Sequence, residues 1–186
     1  YDPEILVMTG IEFDHADIYA DIDHIKKAFS TLLKKNEDTS HIIACEDSPH
    51  LMKVLSGSGA SLETYGNTGQ WSYSDHIQEN SRTYYKINGP QISFPVETGL
   101  LGEHNIFNVL AGVAVAVKLQ ITPDNIQAAL QNFSGVKRRQ EVRGVHNGIT
   151  VIDDFAHHPT AVRETIRAVK PFYPKGRVFA IFQPGS

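Results

Sequence analysis

Four short clusters hold residue types that can do chemistry. The first is Glu12-Phe13-Asp14-His15-Ala16-Asp17. Carboxylates beside an imidazole can hold a divalent cation. Mg²⁺ prefers oxygen ligands, one or two carboxylates with phosphates, and a neutral imidazole can join where phosphate is present. A solvated acidic loop is the plainer reading. The second cluster, Gly99 to Asn108, is glycine-bearing backbone leading into a helix whose start carries His104, Asn105 and Asn108. Residues three apart share a helix face, and carboxamides both donate to and accept from a purine edge. Alternatively Asn105 is only an N-cap and Asn108 a solvated polar residue. The third is Lys137-Arg138-Arg139. Arginine forks suit phosphate oxygens, although a short solvated basic linker reads the same way. The fourth is Val151-Ile152-Asp153-Asp154-Phe155-Ala156-His157-His158-Pro159, a strand, an acidic pair and histidines at a helix start. A carboxylate there can hold a ribose hydroxyl, and the helix N-terminus offers N–H donors to an anion. Zinc is a further possibility for His and Asp, but adjacent histidines diverge and no H-x-x-x-H spacing occurs. His158 can also serve merely as a helix cap.

The elements that must position these clusters are legible as hydrophobic periodicity. Strand-length apolar runs fall at Ile5–Met8, His41–Cys45 and Ser61–Tyr65. Asp21 caps a helix carrying Ile22, Ile25, Phe29, Leu32 and Leu33, and Pro49 opens a short helix reaching Leu55. Residues 71–77, 82–87 and 92–96 alternate like strands, with Asn88-Gly89 as the hairpin turn between the last two. Asn105 to Lys118 forms a helix with one apolar stripe, and Thr122-Pro123 begins another that stops near Gly135. The basic segment from Val136 to Glu141 lacks that periodicity and marks a domain boundary. Beyond it, residues 142–145 and 149–152 flank His146-Asn147-Gly148 as a hairpin, Pro159 begins a helix, and Arg177 to Phe182 reads as a buried strand followed by a turn to Ser186. Alternating strands and helices argue an α/β architecture in both parts.

The chain has 186 residues, 41% hydrophobic and 20% charged, with a net charge of −4. That composition excludes collagen, coiled coil and wholesale disorder. It offers no general attraction to nucleic acid or an anionic membrane, and no apolar run approaches a bilayer span. The single cysteine, Cys45, cannot form an internal disulfide, which fits a cytoplasmic setting. The chain starts at Tyr1 without an initiator Met and reads as the middle of a larger protein. Neither G-x-x-x-x-G-K-[ST] nor G-x-S-x-G occurs. If ATP is used, its triphosphate cradle lies outside this chain.

In order, TGIEFDHADIY (residues 9–19), LGEHNIFN (101–108), GVKRRQEVRG (135–144) and DDFAHHPTA (153–161) resemble the Mur ligase family, ATP-dependent amide-forming enzymes of peptidoglycan metabolism. The resemblance implies the later part of a central ATP-binding domain, residues 1–136 without its P-loop, followed by the first part of a Rossmann-like C-terminal domain, residues 137–186. It further implies His15 as a Mg²⁺ ligand, and Asn105 and Asn108 at the adenine with His104 beside them. Arg139 would reach the nucleotide across the junction, Asp154 would hold the ribose, and His158 would lie close by. Arg139 and His15 are the catalytic candidates. Phe155-Ala156 and the basic run look most like the branch that recycles cell wall, which joins UDP-N-acetylmuramate to the murein tripeptide L-alanyl-γ-D-glutamyl-meso-diaminopimelate. The L-alanine-adding branch is the alternative. From other classes come a non-catalytic nucleotide-binding or interaction module, and a metal hydrolase built on His15, His157 and His158.

Overall fold

A computed structural model describes residues 3–36, 40–79 and 82–183. Its first body is a parallel sheet, β1 (Ile5–Met8), β2 (His41–Cys45) and β3 (Ser61–Tyr65), in that order. β2 lies between the other two, with Ile42 facing Leu6 and Leu62 across the ladders. Successive strand residues point to opposite faces. Ile42 and Ala44 pack with Met8 under α1 (Ile22–Asn36) and α2 (Pro49–Leu55), whereas Ile43 and Cys45 pack beneath α3 (Glu103–Lys118). This two-sided burial is why β2 is apolar at nearly every position. α1 is capped as expected: the His24 N–H donates to Asp21 Oδ1 at 2.8 Å.

A second sheet follows, an antiparallel meander of β4 (Ser72–Glu79), β5 (Arg82–Gly89) and β6 (Ile92–Thr98). The α/β alternation therefore holds for the first body but not here. The meander's turn also differs from the sequence expectation. Asn88 and Gly89 are paired inside β5, with Gly89 opposite Ile92, so Pro90-Gln91 makes the turn. Tertiary contacts outweigh the local Asn-Gly preference. Asn88 Oδ1 accepts from Ser93 Oγ, and Gly89 lies against the Trp71 ring, where a Cβ would come within 2.2 Å of a ring carbon.

The apolar stripe of α3 (Ile106, Val109, Leu110 and Val113) is buried against the first two sheets. The helix starts at Glu103 behind Gly102, not at Asn105. α4 (Pro123–Asn132) begins as expected, with Thr122 Oγ1 accepting from the Asn125 N–H. The final part comprises β7 (Glu141–His146), β8 (Ile149–Asp153) and α5 (Pro159–Val169), with a 3₁₀ turn over Lys170–Phe172. The β7–β8 hairpin is antiparallel. Its Asn147-Gly148 turn has φ of 49° and 76°, the left-handed pair that two-residue hairpins require.

The expected strand at residues 177–182 does not form. Among the described residues this segment pairs with no strand, and Phe179 and Ile181 are exposed. A strand needs a ladder partner for its backbone groups, and apolar composition alone supplies none. The last three residues of the expected turn, 184–186, lie outside the described residues. Among the described residues no helix is long and apolar enough to cross a membrane.

Candidate functional site

All three parallel strands end on the same side, and their C-terminal ends are where α/β sheets place ligands. A cavity of about 1280 Å³ opens there, between the first body and the β7–β8–α5 part. Its wall includes Thr9 and Gly10 after β1, His104, Asn105 and Asn108 from the start of α3, the 135–142 segment, Asp154 after β8, and His158 and Thr160 at the start of α5. The structure thus gathers His104, Asn105, Asn108, Arg139, Asp154 and His158 around one space.

His15 stands apart from them, outside the cavity wall, on the exposed loop after β1. It has φ of 54°, and its Nε2 lies 3.9 Å from Asp14 Oδ2. Asp14 accepts from the His15 backbone N–H at 2.8 Å, and that bond, with nearby imidazoles, holds its carboxyl below the usual range. Glu12 turns the other way, toward α5. The carboxylates and imidazole of residues 12–17 therefore do not converge on one point. Among the described residues no group of three His, Cys, Asp or Glu side chains is arranged to hold a metal. The same observation counts against the hydrolase reading. What remains at His15 is an imidazole beside a carboxylate, a donor set that suits Mg²⁺ only as a partial shell completed by phosphate oxygens and water.

Asn105 lies inside α3, so the N-cap alternative fails. Its Nδ2 donates to Leu101 O at 2.9 Å, and its Oδ1 takes a 3.3 Å bond from Asn108 Nδ2. The two carboxamides therefore form a pair on one helix face at the cavity. His104 Nε2 accepts from the Gln140 side-chain amide at 3.2 Å. Its Nδ1 is buried with no partner. Burial lowers the His104 pKa; Glu164 and Asp154 pull it up, and Arg139 adds to the lowering. A neutral imidazole accepting at Nε2 carries its proton on Nδ1. That nitrogen is shielded from the cavity and lies beside Gly102, where a Cβ would come within 3.1 Å of it.

Asp154 braces the junction. Its Oδ2 accepts from the Gln140 N–H at 3.0 Å and from Thr165 Oγ1 at 3.2 Å, while Oδ1 accepts from the Ala156 N–H at 2.8 Å. Arg138 and Arg139 both lie over the Phe155 ring, their guanidinium carbons 5.1 and 5.8 Å from its centroid. Stacking of this kind confines Arg139 at the cavity wall. His158 has both ring nitrogens on acceptors of the loop after β1: Nε2 donates to Phe13 O at 3.2 Å, and Nδ1 lies 3.3 Å from Glu12 Oε2.

Sequence reasoning did not single out Gln140 or Thr160. Gln140 has φ of 51° and touches both His104 and Asp154. It sits inside the basic run, where attention goes to the cations. Thr160 is an ordinary first-turn helix residue until its hydroxyl is seen to reach Glu12 at 2.7 Å.

The fold and cavity define a two-part α/β protein with a cleft at the junction of its parts. Residues 1–116 match the family described as the Mur ligase middle domain, and residues 138–186 match the Mur ligase glutamate ligase domain. The chain belongs to the Mur ligase family. Among curated relatives, the UDP-N-acetylmuramate–L-alanine ligase of Desulforapulum autotrophicum is 36% identical over 99% of this chain and 41% of its own length. The protein of the same name from Desulforamulus reducens is 39% identical over 98% of this chain and 40% of its own length. The chain thus spans about two fifths of the curated relatives it matches. These relatives carry the L-alanine name, so they lend no support to the narrower expectation of a tripeptide-accepting member.

Solved structures agree on the fold. MurF from Acinetobacter baumannii superposes with a TM-score of 0.79 at 21% identity, covering 90% of this chain and 37% of that one. MurC from Thermotoga maritima gives 0.74 at 20% identity, covering 94% and 40%. MurF from Thermotoga maritima, solved in complex with ADP, gives 0.76 at 20% identity, covering 90% and 39%.

Proposed function

We propose that the complete protein is an ATP-dependent ligase that joins the carboxylate of UDP-N-acetylmuramate to an amine, and that this chain supplies the nucleotide side of its active site. One observation carries the reading. A cavity at the strand C-termini is walled by a carboxamide pair, an arginine, an aspartate and an imidazole, drawn from both parts of the chain. Residues 1–136 then belong to the central domain and 137–186 to the C-terminal domain, with Gln140 and Arg139 at the joint.

A carboxylate is a poor electrophile. Transfer of the ATP γ-phosphoryl group to it gives an acyl phosphate and ADP. The amine then attacks the acyl carbon, and phosphate leaves from the tetrahedral adduct. In this chain Asn105 and Asn108 present donors and acceptors to the adenine edge, with His104 beside them. Asp154 faces the ribose. Arg139, held by Phe155, neutralises phosphate charge as the two parts close. Mg²⁺, when bound, offsets the negative charge of the phosphates, and His15 with Asp14 is the donor set nearest to that task.

L-alanine is the acceptor that the curated relatives' names support. A second reading, the murein tripeptide, is favoured by Phe155-Ala156 and by the 136–144 run. Phosphate release from the full-length protein with Mg-ATP and UDP-N-acetylmuramate tests both. Release that depends on L-alanine establishes the first, and release that depends on the tripeptide establishes the second. No release with either amine rejects the ligase reading.

A further inference from the structure

We propose that Glu12 is a positioning residue that latches the two parts of the chain across the cavity and holds His158 at its rim. Its root is rigid. Ile11 is 2% exposed, and its N–H donates to Ser48 Oγ at the start of α2 at 3.1 Å. From that anchor Glu12 reaches out to α5, an element far away in the chain. Its Oε2 accepts from Thr160 Oγ1 at 2.7 Å and lies 3.3 Å from His158 Nδ1. Next to it, Phe13 O accepts from His158 Nε2 at 3.2 Å.

Glu12, His158 and Thr160 all line the cavity, so the latch forms part of its rim. The carboxylate also stands at the N-terminus of α5, where the helix dipole favours negative charge. A second contact between the parts, His104 with Gln140, lies elsewhere on the same wall. That contact joins an imidazole to a carboxamide. The Glu12 contact sets a carboxylate against a hydroxyl and an imidazole, and opening the parts breaks it together with the Phe13 bond. The carboxylate oxygen is committed to these partners, which distinguishes Glu12 from the metal ligand that its neighbours in sequence suggest.

The kinetic consequence rests on the ligase reading, while the structural consequence does not. The test uses the full-length protein with fluorophores placed on α1 and α5, as wild type, Glu12→Ala, Thr160→Val and the double variant. Energy transfer reports closure with a non-hydrolysable Mg-ATP analogue, and phosphate release reports turnover. Glu12→Ala is expected to reduce the closed fraction and to lower kcat at least about threefold with little change in the KM for UDP-N-acetylmuramate. The double variant should be no worse than Glu12→Ala alone, since groups in one network couple by at least about twofold. Wild-type closure in Glu12→Ala, or effects of the two substitutions that simply multiply, would overturn the latch. Glu12 is on the surface, so thermal melts should show all variants folded. A wild-type protein that closes but releases no phosphate sinks the ligase reading and leaves the latch standing.

Discussion

At His104 burial opposes protonation, and Arg139 adds to that opposition. The folded-state pKa therefore lies below the ordinary 6.5. As pH falls through that value, the unfolded chain takes up a proton that the folded chain refuses, so folding stability declines. His104→Gln is expected to flatten the fall of Tm between neutral and mildly acidic pH. An unchanged slope would show that the ring is not kept from its proton in the folded protein. Asp154 acts through hydrogen bonds, accepting from two backbone N–H groups and a hydroxyl. Asp154→Ala leaves Gln140 and Ala156 donors unmet, at a cost of about 1–3 kcal/mol in unfolding experiments. It should also weaken nucleotide binding in the full-length protein by calorimetry, and an unaltered affinity would remove Asp154 from the ribose role.

Helices and turns carry two further expectations. Gly102 has φ of 89°, and a Cβ there would sit 2.5 Å from the Ala168 Cβ in α5. α3 and α5 can approach only because that Cβ is missing. Gly102→Ala should lower Tm markedly and shift the near-UV spectrum, through strain of about 1–2 kcal/mol from the left-handed backbone plus the clash. Retention of the wild-type Tm would mean that the two helices can separate freely. The β5–β6 turn offers the reverse case. Gln91 adopts φ of 61° after Pro90, the geometry of a turn that favours glycine at its second central position. Gln91→Gly is expected to raise stability by about 0.5–1 kcal/mol in denaturant titration, the left-handed strain relieved less the chain entropy that glycine adds. A loss would place the turn elsewhere, such as the Asn88-Gly89 that local preference favours.

Across the whole molecule the cavity is a junction property. Its wall draws on the first body through Thr9, Gly10 and Glu12, on α3, and on the segment that leads into β7. A nucleotide seated there should slow amide exchange in the first turn of α3 and in residues 137–142 together, because both face the same space. Protection of one without the other would mean that the ligand contacts one part only. The exposed apolar residues of β7 and β8, among them Val145 and Ile149, mark the β7–β8–α5 part as the less covered one. The first body, with Ile42, Ile43 and Leu110 fully buried, is the more deeply packed.

Local order was largely legible in the sequence. The three parallel strands, α1 with its Asp21 cap, α4 with its Thr122 cap and the Asn147-Gly148 turn all follow from periodicity and cap or turn chemistry, which act over a few residues. Asn105, Asn108, Asp154 and His158 were legible as candidates near a helix start or strand end and Arg139 as one of three adjacent cations, while their individual roles came from the family resemblance. Their meeting around one cavity was not legible, since it depends on how α5 packs on α3 through Gly102. Nor were Gln140, Thr160 and the turn of Glu12 toward α5, because contacts between residues distant in sequence, 36 apart for Gln140 with His104 and 148 for Glu12 with Thr160, leave no local pattern. The failed strand at residues 177–182 has the same cause. Apolar composition is a property of the segment, whereas being a strand is a property of the segment and its neighbour. The sequence by itself determined the elements and the chemical types at their ends. Tertiary packing decided which of those ends face one another, because that choice depends on burial and non-local hydrogen bonds.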